Sequence, residues 1–123
     1  MPPRFEADDL IIEESPDPAP APLRLMWIGR SGARNPSAVL LPYFEQVLGE
    51  AAPTLRPVEM HFQALDHFNS STVAALIRLI QNARAKKVPL VLIYNQTLKW
   101  QKLSFDAMRV FVKSDGLLQL RSI

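Results

Sequence analysis

Val58-Glu59-Met60-His61-Phe62-Gln63-Ala64 alternates apolar and polar residues without a break. Side chains point to opposite faces of a strand in turn. Val58, Met60, Phe62 and Ala64 are therefore expected to face a core, with Glu59, His61 and Gln63 on a wetter side. A sheet that is apolar on one side calls for helices mainly on one face. Downstream, Val73, Leu76, Ile77, Ile80 and Ala83 recur at helical spacing and predict a helix from about Ser71 to Ala85. Arg84, Lys86 and Lys87 at its end complement the helix dipole. Val88-Pro89-Leu90-Val91-Leu92-Ile93-Tyr94 is a continuous apolar run, the pattern of an inner strand covered on both faces. A third helix is predicted from about Leu98 to Lys113. Trp100, Leu103, Ala107, Val110 and Phe111 fall on one side of it, and Lys99, Lys102, Asp106, Arg109 and Lys113 form a charged stripe on another. Phe105, Met108 and Val112 lie between the two, as core or as an exposed apolar edge. Gly116 interrupts the chain, and Leu117-Leu118-Gln119-Leu120 suits a last strand.

Upstream, Leu23-Arg24-Leu25-Met26-Trp27-Ile28 reads as a strand ending at Gly29, in a turn-rich stretch that runs to Asn35. Asn35 suits an N-cap and Pro36 a first helical position, with Leu40, Phe44, Val47 and Leu48 following at helical spacing. Pro42 either kinks that helix or marks its true start. Before it all, Leu10 to Glu14 predicts a short strand. Ser15 to Pro22, half of it proline, is expected to be a long loop rather than a tail. The chain thus divides into an N-terminal strand and Pro-rich loop, 1–22, and a body, 23–123, within a single domain. Strand–helix alternation over so short a chain implies the α/β class, with a small, mostly parallel or mixed sheet.

Composition narrows the function. The chain has 123 residues, 48% of them hydrophobic, enough for one core. Without cysteine there is no disulfide and no thiolate metal site. Fourteen basic against 12 acidic residues leave a net charge of +2, too balanced to imply nucleic acid. No apolar run approaches the roughly 20 residues that cross a bilayer, and Met1 to Glu6 lack the apolar core of a signal peptide. The expectation is a soluble cytoplasmic protein.

The chemistry-bearing segment is Phe68-Asn69-Ser70-Ser71-Thr72: the strand that ends at Ala64 runs out, a short loop turns, and hydroxyl residues open a helix. Asn, Ser and Thr cap helices by accepting hydrogen bonds from free N–H groups, and one such residue is sufficient. The same N-terminus, with its partial positive charge, also tolerates a phosphoryl group. Phosphorylation there would alter surface charge without altering the fold.

This segment, with the order strand–motif–helix–apolar strand–helix, resembles the STAS domain of bacterial anti-sigma factor antagonists over roughly residues 23–113. In that family the motif is Asp-Ser-(Ser/Thr)-Gly; here Asn69 takes the Asp position, Ser70 the phosphoacceptor position, and Thr72 stands where Gly is usual. The departures bring the chain closer to SiaC-like single-domain regulators, whose motif resembles Tyr-Asn-Thr-Ser-Ser. Gly29-Arg30-Ser31, Asn35-Pro36 and Tyr43-Phe44 are similar to that branch's turn before its first helix. The resemblance implies a STAS-like fold and a partner-switching role. A serine/threonine kinase and a PP2C-like phosphatase would act on Ser70. Phe68, Asn69, Ser71, Thr72, Gly29, Arg30 and Ser31 would surround it. The target would be an anti-sigma factor or a diguanylate cyclase. It implies no enzymatic activity, no cofactor, no nucleic acid, no membrane, and a monomer or weak homodimer. The alternative is a constitutive adaptor in which Asn69 to Thr72 only cap.

Enzyme readings fare worse. Asp66, His67 and Ser70 are too close in sequence for a hydrolase triad, and no Gly-x-Ser-x-Gly elbow is present. His61 and His67, with Glu59 and Asp66 nearby, match no metal-ligand spacing. Only four glycines occur, none clustered into a phosphate loop. The stripe Lys99, Lys102, Arg109, Lys113 is interrupted by Asp106 and has no aromatic platform for bases.

Overall fold

The computed structural model describes residues 4–32 and 34–123. In chain order the elements are β1 (Arg4–Ala7), β2 (Leu10–Glu14), β3 (Leu23–Ser31), α1 (Pro36–Ala51), β4 (Val58–His61), β5 (Leu65–Phe68), α2 (Ser70–Ala85), β6 (Leu90–Tyr94), α3 (Lys99–Met108) and β7 (Leu118–Ser122). Single 3-10 turns, Ala52–Thr54 and Arg109–Phe111, extend α1 and α3. The strands form one mixed sheet of order β1-β2-β3-β4-β6-β7, with β5 also paired to β3. β1, β2 and β3 are antiparallel neighbours, and the pairs β3–β4, β3–β5, β4–β6 and β6–β7 are parallel. The protein is α/β, as the strand–helix alternation implied.

Alternation decides which side of the sheet is covered. Leu23, Leu25 and Trp27 of β3, Val58 and Met60 of β4, and Leu90, Leu92 and Tyr94 of β6 enter one core. Leu40, Phe44 and Val47 of α1, Leu76 and Leu79 of α2, and Phe105 and Met108 of α3 enter the same one, so all three helices cover one face. On the other face Arg24, Glu59 and His61 form a polar cluster: Glu59 Oε1 lies 3.2 Å from Arg24 Nε and 3.1 Å from His61 Nε2. Burial of Glu59 follows from these two neighbours; an unpaired carboxylate would not be tolerated there. Aromatic rings fill the middle of the core. Phe62 lies 5.0 Å from Trp27 and 4.9 Å from Phe105, and Tyr94 stacks on Phe105 at 5.0 Å.

Several expectations need correction. β4 ends at His61, and Ala64 is exposed in the turn that follows, so the alternation stops at Phe62. β3 does not end at Gly29 but continues to Ser31, because β5 pairs with Gly29, Arg30 and Ser31. The segment 65–68, expected as loop, is that strand. β1 has no counterpart among the expected strands, and it places the N-terminal residues inside the same sheet as the body. α1 begins at Pro36, and Pro42 sits within it, exposed, where the hydrogen bond it cannot make is replaceable by water. Asn35 holds the N-cap position without a side-chain cap bond; its carbonyl accepts from Ala38 N–H at 3.2 Å. Residues 15–22 do form a loop, held by Arg56, which donates to the carbonyls of Asp17 and Ala21, and by an Asp17–Arg24 ion pair of 3.0 Å. Met1 to Pro3, and Ala33 of the Gly29–Asn35 turn, lie outside the described residues.

α3 is rotated relative to expectation. It buries Gln101, Phe105 and Met108, while Leu103, Ala107 and Val110, expected on the core side, face outward. Trp100 and Phe111 are half-buried and Val112 is exposed.

Tyr43, on the core side of α1, packs against Phe5 at 5.0 Å, and its Oη has no hydrogen-bond partner. Burial, then the nearby Glu14 and Glu50 carboxylates, push its ionisation well above the ordinary tyrosine range. The unfolded chain ionises near pH 10, the folded protein only higher. The stabilisation is complete below pH 10 and is lost as pH rises toward the folded value. Denaturant titrations between pH 9 and 11.5 should show Tyr43→Phe losing less stability with pH than wild type, by at most about 1.4 kcal/mol per pH unit. At pH 7 removing an unpartnered hydroxyl should be neutral or slightly stabilising. Equal slopes for the two proteins would refute the assignment.

Candidate functional site

The motif residues meet where β3, β5 and α2 converge. β5 pairs with the end of β3, placing Arg30 opposite His67 and Ser31 opposite Phe68. The Asn69 N–H then donates to the Ser31 carbonyl at 3.0 Å and the chain turns into α2. Asn69 caps that helix. Its Oδ1 accepts from the Thr72 N–H at 2.9 Å and from the Thr72 hydroxyl at 2.8 Å. Thr72 is fully buried, and its Oγ1 also lies 2.7 Å from Ser31 Oγ, itself buried. These bonds tie the end of β3 to the first turn of α2.

The four polar motif positions therefore differ in what they can do. Asn69 and Thr72 are committed to the cap, and the Thr72 hydroxyl has a buried partner in Ser31. Ser70, the first residue of α2, is exposed, and Ser71 is half-exposed. Phe68 is buried, 5.0 Å from Trp100 and 5.8 Å from Phe105. Gly29 and Ser31 are likewise structural, whereas Arg30 is exposed and enters no ion pair among the described residues. Of the candidate site residues, Ser70 and Arg30 offer the most accessible polar groups.

Two features around the motif were not legible in the sequence. First, the β1–β2 hairpin, turning at Asp8 and Asp9, borders a cleft of about 590 Å³ with Arg30 and Gly32 on one side and Val39 and Leu40 of α1 on the other. The pairing of β2 with β3, Leu10 opposite Gly29, and the bond from the Arg30 N–H to the Asp9 carbonyl bring that turn beside Arg30, while the strand on its far side, β1, is invisible to periodicity over four residues. Secondly, Gln101 is fully buried and serves three backbone groups. Its Nε2 donates to the carbonyls of Phe62 (2.7 Å) and Leu65 (3.2 Å), and its Oε1 accepts from the Asn95 N–H (2.8 Å). A polar residue at core spacing with Phe105 and Met108 was the signal available for it.

Asp66, His67 and Ser70 are not joined by hydrogen bonds. Asp66 is exposed, and the His67 ring lies 6.2 Å from Trp100. Among the described residues no group of His, Asp or Glu is placed to hold a metal, and no helix is long and apolar enough to cross a membrane. No family model matches the chain, and neither the curated proteins nor the solved structures contain a match.

Proposed function

We propose that the chain is a phosphorylation-controlled protein-interaction switch of the STAS type, acting in the bacterial cytoplasm, with Ser70 as the phosphoacceptor. The reading rests on the division of labour within one motif. Asn69 and Thr72 build the cap through their mutual hydrogen bonds, with Thr72 buried, while Ser70 stands exposed at the first position of a 16-residue helix. The α2 dipole favours negative charge there, so a phosphoryl group adds surface charge at little cost to the fold. A serine/threonine kinase would add it and a PP2C-like phosphatase remove it. The unmodified form would bind the target, an anti-sigma factor or a diguanylate cyclase. The same cap bonds favour one other reading: a constitutive adaptor in which the motif is wholly structural.

Incubation with cognate kinase and ATP, followed by intact-mass measurement, separates the two. Wild type should gain one phosphoryl group and Ser70→Ala none. Because Asn69 does the capping, Ser70→Ala should change stability by no more than about 0.5 kcal/mol. Ser70→Asp should weaken binding to the target by placing charge in a desolvated contact. Labelling that survives Ser70→Ala moves the acceptor elsewhere. An unlabelled wild type whose Ser70→Asp variant binds normally leaves the adaptor.

A further inference from the structure

α3 and its 3-10 extension carry two apolar stripes, and the fold uses the second only at Trp100, which packs against the core. Phe105 and Met108, with Gln101, face the core. Trp100, Leu103, Ala107 and Val110 recur at spacings of three and four and form the second stripe. Leu103 is 64% exposed and Val110 75%, with Val112 beyond them at 41%. Scattered apolar residues on a surface mean little, but a row along one rigid helix is an organised patch. From Trp100 to Val110 it runs about 15 Å, two to three turns of an opposing helix. Its inner end adjoins the motif, since Trp100 packs on Phe68, the residue before Asn69.

The charges beside the stripe select the occupant. Lys99, Lys102 and Arg109 accompany a single acidic residue, Asp106, on this helix and its 3-10 extension. Asp106 is already engaged by Lys102 at 2.7 Å and Arg109 at 3.3 Å, while Lys99 enters no ion pair among the described residues. The rim is therefore a cationic edge with charge to spare. A second copy docked stripe to stripe would bring two cationic rims together, which disfavours self-association through this face.

We propose that the outer stripe of α3 is a docking surface for an acidic amphipathic helix of a partner protein. Leu103 and Val110 supply the apolar anchors, and Lys99, Lys102 and Arg109 face the partner's carboxylates. The inference rests on reading the chain as an interaction module, but not on modification of Ser70.

The test uses unmodified full-length protein and a fluorescent 18-residue peptide designed as an amphipathic helix, with leucines at spacings of three and four and glutamates flanking them. Anisotropy should report binding. Leu103→Ser and Val110→Ser, both at exposed positions, should each weaken it at least about fivefold, as should Lys102→Glu. A twin peptide with lysine replacing every glutamate should bind at least about tenfold more weakly. The proposal is overturned if the glutamate peptide does not bind, if binding survives the Leu103→Ser/Val110→Ser double variant, or if the lysine twin binds equally. It is also overturned if phosphatidylglycerol vesicles take up the protein through Leu103 and Val110, or if sedimentation shows a dimer that Leu103→Ser dissolves. Ser70→Asp in the same assay reports on the switch. Stripe-dependent binding that is indifferent to Ser70→Asp supports the docking surface and counts against Ser70.

Discussion

Gln101→Leu should destabilise the protein by about 3 kcal/mol or more, since each buried backbone group left without a partner costs about 1–3 kcal/mol. The reason lies in how the sheet divides. β4 pairs with β3 on one side and β6 on the other, but β5 pairs only with β3. Beyond His61 the chain turns through Gln63 and Ala64, and β5 loses β6 as a neighbour. The carbonyl of Leu65 and the N–H of Asn95 then have no strand to bond. The Gln101 amide reaches both, and the Phe62 carbonyl as well. Leucine fills nearly the same volume and offers no donor or acceptor, so the loss isolates the hydrogen bonds from packing. Denaturant unfolding followed by fluorescence of the buried Trp27 gives the number. A loss below about 1 kcal/mol would mean that water reaches these groups in the variant and that the amide is dispensable. Hydrogen exchange should also quicken at Asn69 and Thr72, because the β4–β5 junction leads directly into the motif.

What was legible in the sequence follows from how long each periodic signal persists. β4 and β6 were readable because Val58 to Phe62 alternates and Leu90 to Tyr94 is apolar throughout, and the pleat and the double burial demand those patterns. α2 was readable for the same reason over four turns. β5 was not: Leu65-Asp66-His67-Phe68 has two polar residues in four and exists only because the end of β3 needed a partner. β1 is an edge strand of four residues and sits below what periodicity can resolve. On α3 two stripes competed. Trp100, Leu103, Ala107 and Val110 form the more apolar one, and hydrophobicity alone selects it for the core. The fold instead uses the stripe with Gln101, because the split sheet presents backbone groups that a leucine cannot satisfy. The motif was found by residue type, but the separation of Ser70 from Thr72 required coordinates: nothing in Asn69-Ser70-Ser71-Thr72 says that Ser31, far away in sequence, takes up the Thr72 hydroxyl.

Gly29→Ala should be as damaging as the loss of Gln101, and for a reason confined to the backbone. Gly29 has φ +94, which side-chain-bearing residues rarely adopt, and a Cβ there would lie 2.1 Å from the carbonyl oxygen of Asp9. The obstacle is main chain, so no rotamer change relieves it. Either β3 straightens or the β1–β2 hairpin moves away, and the Arg30 N–H to Asp9 carbonyl bond of 3.1 Å is strained or lost. Backbone strain of about 1–3 kcal/mol adds to a steric cost of similar size, so a total of roughly 3–4 kcal/mol is expected. Gly49→Ala is the internal control. That glycine lies exposed in α1, and a methyl group added there would meet nothing within 4 Å, so alanine should stabilise by about 0.5–1 kcal/mol. The site should register the difference too. The β3–β5 pairing shifts register between Gly29 and Arg30, immediately before Arg30 and Ser31. A displaced Ser31 weakens its bond to Thr72, so the Ser70 and Thr72 amide resonances should move in Gly29→Ala and stay in place in Gly49→Ala. Unchanged resonances in a folded Gly29→Ala would show that the hairpin yields alone and that the motif is held by Asn69 and Thr72 without help from β3.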